Sequence, residues 1–90
     1  MTTIKNEKVS VTFHEKTEYN KPYIIASDLT DRFNDPTVFT RKVRGINRAW
    51  EFIGQIFQDE RLMNELTIND ISKILDEKFN LDTHYYCAVD

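Results

Sequence analysis

The chain has 90 residues, 40% of them hydrophobic and 30% charged, with only two glycines and two prolines, a composition that fits one ordinary folded domain over residues 1–90 and excludes a low-complexity or disordered protein. Its single cysteine, Cys87, excludes an intrachain disulfide and a Cys-rich zinc site and suits a reducing compartment, so a cytoplasmic location is expected. The net charge of −3 divides unevenly, with +3 on residues 1–50 and −6 on residues 51–90, so the first part suits a polyanion while the second repels one or imitates one.

In chain order, the opening MTTIKNEKVS lacks the apolar core of a signal peptide. No later segment approaches the roughly 20 apolar residues of a membrane span, so no membrane partner is expected. Val9, Val11 and Phe13 alternate with Ser10, Thr12 and His14, the period of a strand with one buried face. A second strand follows at PYIIAS, residues 22–27, so the two predict a hairpin with a long loop. Ser27, Asp28, Leu29 and Phe33 then predict a short helix over residues 27–34, with Ser27 as N-cap and the two apolar residues on one face. Asp35 and Pro36 predict a new helix start. From there Phe39, Val43, Ile46, Trp50, Ile53 and Phe57 recur at spacings of four and three, which predicts one continuous helix through Gly45; the alternative is a helix end at RGIN with Asn47 as a new N-cap.

Asp59 predicts the cap of a short helix bearing Leu62, Met63 and Leu66. In LTINDISKIL, Thr67 and Asp70 have the spacing of a capping box, and Leu66 is placed to staple onto Ile71. Ile68, Ile71, Leu75 and Phe79 continue that helix's core face, with Asn80 suited to a left-handed end. HYYCAV predicts a last strand or extended arm. The expected fold is therefore α+β: a small antiparallel sheet, made of an N-terminal hairpin and a possible C-terminal strand, packed on three or four helices.

On a helix through residues 39–57, Arg41, Arg44 and Arg48 fall on one exposed ridge opposite the apolar stripe, with Lys42 to one side. Gly45 lies on the same ridge, where a missing side chain admits a phosphate backbone. An amphipathic helix with a basic outer face is the plain alternative. IIASDLTDRFNDPTVFTRKVR resembles a helix-turn-helix DNA-binding unit, and a hairpin before such a unit is similar to the N-terminal domains of phage regulatory and antirepressor proteins. The resemblance implies that Ala26, Leu29 and Phe33 pack the first helix. It also implies that Thr37, Thr40, Arg41 and Arg44 face DNA from the second. On this reading the chain is a regulatory nucleic-acid-binding protein with DNA as first partner, and Lys42 and Arg48 add phosphate contacts.

A reading of a different class starts from the acidic second part. Ala49, Phe52 and Ile56 form a second apolar strip on the long helix, either central in the fold or shared with a homodimer or partner. Phe52, Ile56, Asp59, Glu60 and Glu65 would then dock a small inhibitor or adaptor, such as an anti-defence protein, on a host protein complex. Catalysis has little support. His14 and His84 are isolated, no serine lies in a nucleophile motif, no glycine-rich phosphate loop is present, and no ligand spacing for a metal occurs. The expectation is a non-enzymatic protein without cofactor or metal.

Overall fold

The computed structural model describes residues 1–31 and 33–86. Its main element is a five-stranded antiparallel meander in the order β1 (Thr2–Lys5), β2 (Val9–His14), β3 (Tyr23–Asp28), β4 (Thr37–Thr40) and β5 (Thr83–Tyr86). Between β4 and β5 come α1 (Ile46–Gln58), α2 (Glu60–Met63) and α3 (Ile68–Lys73), the last widening into a π-helical turn, Ile74–Lys78. The helices cover one side of the sheet, α1 against β1 and β3, α3 against β3. Among the described residues no helix is long and apolar enough to cross a membrane.

The expected architecture of a small sheet on three or four helices is overturned. The sheet has two strands that the sequence did not announce, β1 and β4, and the helical layer is three short segments. No helix forms over residues 27–31 or 33–34. Ser27 pairs with Ser10 on one side and Thr37 on the other, inside β3. The Asp28 carboxylate then accepts from the Thr30 N–H and hydroxyl, and the Asp31 carboxylate accepts from the Asn34 backbone and side chain. Such local bonds give the backbone an alternative to a helix, and a helix of two turns is marginal in any case. Leu29 and Phe33, which the expected helix would have buried, are exposed, Phe33 at 80%.

The long helix from residue 36 is also corrected: it begins only at Ile46. Thr37–Val38–Phe39–Thr40 is β-branched and aromatic, fits a pleated surface, and fills the place beside β3 with Val38 and Thr40 turned to the core. Gly45 is the N-cap of α1, left-handed at φ 87°, so the glycine expected inside a continuous helix is instead what lets the chain turn into one. From Ile46 onward the spacing read from the sequence holds: Ile46, Ile53 and Phe57 are buried, and half-buried Trp50 stacks on Phe13 at 5.6 Å. Ala49, assigned to the second strip, is fully buried.

Val9, Val11, Ile24, Ala26 and Val38 from the sheet meet Ile46, Ala49, Ile53, Ile71 and Leu75 from the helices in one core. Thr40 is its one buried polar side chain, and its hydroxyl accepts the Ile24 N–H at 3.0 Å. The capping box at α3 forms as the sequence indicates, Thr67 and Asp70 bonding each other's backbone N–H. Asn80 is left-handed at φ 52°, which ends the π turn. Asp76 then fastens β5 to it by accepting the Thr83 N–H, at 2.7 Å, and the Thr83 hydroxyl. At the other end Asn6 turns β1 into β2, its carbonyl accepting from the Lys8 and Val9 N–H groups while its amide donates to the Met63 and Leu66 carbonyls. The C-terminal strand expected at HYYCAV exists as β5 through Tyr86 and pairs with β4; the rest of that segment lies outside the described residues.

Candidate functional site

Side chains alternate across a strand, so the register fixes which residues look away from the helices. One cross-strand row is Thr3, Thr12, Ile25, Phe39 and His84; the next is Lys5, Ser10, Ser27, Thr37 and Tyr86. His14 and Tyr23 form a third. None of these outward positions carries a carboxylate, in a chain with 15 acidic residues. Among the described residues no helix covers this side. Two ring pairs stand on it: His14 and Tyr23 stack at 4.3 Å with planes 9° apart, and Phe39 and His84 meet at 5.2 Å, tilted by 54°. Ile25 lies between them in the register. A shallow concavity opens beside the first pair, lined by Met1, Glu15, Lys16, Thr17 and Asn20 as well as by the two rings.

At one corner of the sheet the chain leaves β4 through Arg41, Lys42 and Arg44 and enters α1 at Gly45, with Arg48 in the first turn. All four basic side chains are exposed, and among the described residues none of them forms an ion pair; Arg61 with Asp59, at 3.6 Å, is the ion pair that does form. The connection is held, since the Arg41 and Lys42 N–H groups both donate to the Leu81 carbonyl at 3.0 Å. Lys42 and Arg44 border a shallow groove whose other wall is Phe79 and Asn80. No acidic residue stands in the first turn of α1 and no side chain caps it, so the helix dipole adds to the positive potential of this corner.

The basic residues picked from the sequence are thus brought together, but not as a helical ridge: only Arg48 is on α1, while Arg41, Lys42 and Arg44 are on the connection. The two threonines are corrected more sharply. Thr40 is 5% exposed and bonded inside the core, and Thr37 is half-buried on β4, its hydroxyl donating to the Asp35 carbonyl; neither is on a recognition helix. The outward rings were missed as a set because Phe39 was assigned to a buried helical stripe. The strand period in VSVTFH and YIIAS did carry the signal for His14, Tyr23 and Ile25.

The residues of the docking reading are largely engaged within the fold. Phe52 is half-buried against Phe79 at 5.6 Å, with the Lys78 ammonium 4.8 Å above its ring. Ile56 is half-buried, and Asp59 caps α2 by accepting the Arg61 N–H. Glu60 and Glu65 are exposed, with exposed Leu62 between them in sequence. Among the described residues no three His, Cys, Asp or Glu side chains come together as a metal site requires. Comparison with protein-family models, curated proteins and solved structures finds no match for this chain.

Proposed function

We propose that the chain is a small non-enzymatic nucleic-acid-binding protein of a reducing, cytoplasmic compartment, and that Arg41, Lys42, Arg44 and Arg48 are its phosphate contacts. One observation carries this reading: four exposed cations, without ion-pair partners among the described residues, occupy one pinned corner next to a sheet face free of carboxylates. Surface cations ordinarily solvate themselves; here the outward strand positions beside them carry no carboxylate, and exposed Glu51 and Asp82 form no ion pair with them among the described residues, which favours an external anion. With β4 where a recognition helix was expected, these residues hold a backbone rather than read a major groove. Docking on a protein through the acidic part has less to work with, because Phe52 and Asp59 already have partners in the fold and Ile56 is half-buried.

The test is fluorescence anisotropy of labelled oligonucleotides, single- and double-stranded, at roughly 50 and 200 mM salt. About four phosphate contacts weaken binding on the order of 100-fold across that range. The Arg41→Glu/Arg44→Glu/Arg48→Glu variant, folded by circular dichroism, is expected to lose binding altogether. Equal binding by this variant, or no binding by the wild type at the lower salt, would refute the proposal.

A further inference from the structure

We infer that the outward face of the sheet is a stacking platform for the bases of a single-stranded nucleic acid, with the Arg41–Arg48 corner gripping the adjoining phosphates. The inference rests on the nucleic-acid reading above and specifies its substrate. Three features of the face point to this occupant. Its aromatic groups are paired in advance: a stack such as His14 on Tyr23 is one that a base extends, and stacking on aromatic side chains is how exposed bases are generally held. The two ring pairs stand two strands apart, about 10 Å across a sheet with 4.8 Å spacing, which leaves room for the two or three bases that such a face engages. Lastly, Ser10, Thr12, Ser27 and Thr37 fill the rows around the rings with hydroxyls, and the charged members are Lys5 within the rows and Arg41, the residue directly after β4.

Charge complementarity separates this occupant from others. A polyanion meets no carboxylate among the outward strand positions; Glu15 and Asp82 stand at the rim, as do Glu7, Asp28 and Asp35 around a concavity beside Lys5. A second copy of the chain is a poorer fit, since the centre of an interface is usually enriched in large apolar side chains and this face offers only Ile25 and Phe39 besides the tyrosines. A duplex is disfavoured by shape. Its bases are reached through grooves, the major one sized for a helix or a two-stranded ribbon rather than the face of five strands, whereas a single strand presents them unstacked.

The experiment measures anisotropy of labelled U12, dT12 and a mixed 12-base-pair duplex with wild-type protein and with Tyr23→Leu, Phe39→Leu and Tyr23→Phe. The leucine variants keep apolar bulk while removing the ring, and the phenylalanine variant keeps the ring. Single strands are expected to bind more tightly than the duplex, each leucine variant to weaken them about tenfold, and Tyr23→Phe to match wild type; the U12 and dT12 arms decide between RNA and DNA. In parallel, unlabelled U12 titrated into isotopically labelled wild type should shift the amide signals of Thr12, Ile25, Thr37 and Phe39 ahead of those in α2 and α3, a readout independent of any variant's folding. If single strands and duplex bind alike, the leucine variants bind as wild type and the shifts are confined to residues 41–48, the platform is overturned and the basic corner stands alone. If no oligonucleotide binds, the nucleic-acid reading falls and the platform with it.

Discussion

Gly45 and Gly54 sit in the same helix segment for opposite reasons. Gly45 is left-handed at φ 87°, and a side chain there would meet no atom within 4 Å, so backbone strain alone opposes substitution. Gly45→Ala is expected to lower stability by about 1–2 kcal/mol. Gly54 lies within α1 at ordinary backbone angles, also with open space around it; Gly54→Ala is expected to raise stability by about 0.5–1 kcal/mol. Urea denaturation of the two variants checks the opposite signs. At Thr40 the hydroxyl is the acceptor of a buried N–H, and Val in its place leaves the Ile24 N–H without it. Thr40→Val is expected to cost about 1–3 kcal/mol while leaving the oligonucleotide affinity of the folded protein unchanged, which separates a core role from the contact role its position in the sequence suggested.

At the scale of elements, strand parity makes neighbouring isoleucines unequal. Ile24 is fully buried under the helices and Ile25 is half-buried on the open face. Ile24→Ala is expected to cost about 2–5 kcal/mol, and Ile25→Ala less than about 1 kcal/mol by the usual tolerance of surface positions; denaturation midpoints read the difference, and equal costs would refute the register. The loop between β3 and β4 carries a pH-sensitive feature at Asp31. The Asn34 side chain and backbone N–H bond the Asp31 carboxylate and hold it below its ordinary value, outweighing the smaller opposing effect of desolvation. A lowered carboxylate stabilises the fold above the ordinary carboxylate range, and that contribution disappears as pH falls through the lowered value. Asp31 should therefore titrate below the ordinary carboxylate range in a carboxyl NMR titration, and Asn34→Ala should raise its midpoint. This same loop shows why the two expected helices of the helix-turn-helix resemblance were misread: Leu29/Phe33 spacing and the Asp-Pro start are local signals, and they do not reveal that residues 23–28 and 37–40 find each other as strands. Where a local signal carried its own hydrogen bonds, as in the Thr67/Asp70 box, the reading held.

Across the whole molecule, the outward strand rows stand apart from the exposed acidic side chains. Exposed carboxylates of Glu51, Glu60 and Glu77 belong to the helical segments and that of Glu65 to the turn after α2, while the outward strand positions have none. A polyanion approaching the sheet face is thus not opposed by acidic side chains in the rows it would meet, and the net charge of −3 does not by itself argue against such a ligand, because local potential within about a Debye length governs the contact. Glu60→Lys/Glu65→Lys is accordingly expected to change oligonucleotide affinity by no more than about threefold at roughly 150 mM salt, where distant charges are screened. A larger gain would mean that the acidic part regulates the basic corner.

From the amino-acid sequence alone came the β2–β3 hairpin, the buried face of α1 from Ile46, the capped α3 and the run of basic residues itself. All of these rest on residues near one another in the chain, where periodicity and capping act directly. Only the tertiary structure decided that Thr37–Thr40 is a strand, that Gly45 starts a helix, that Thr40 is core, and that His14, Tyr23, Phe39 and His84 share one open face. Those facts depend on pairing between segments distant in sequence, whose hydrogen bonds and burial outweigh the weak local preference of a short stretch.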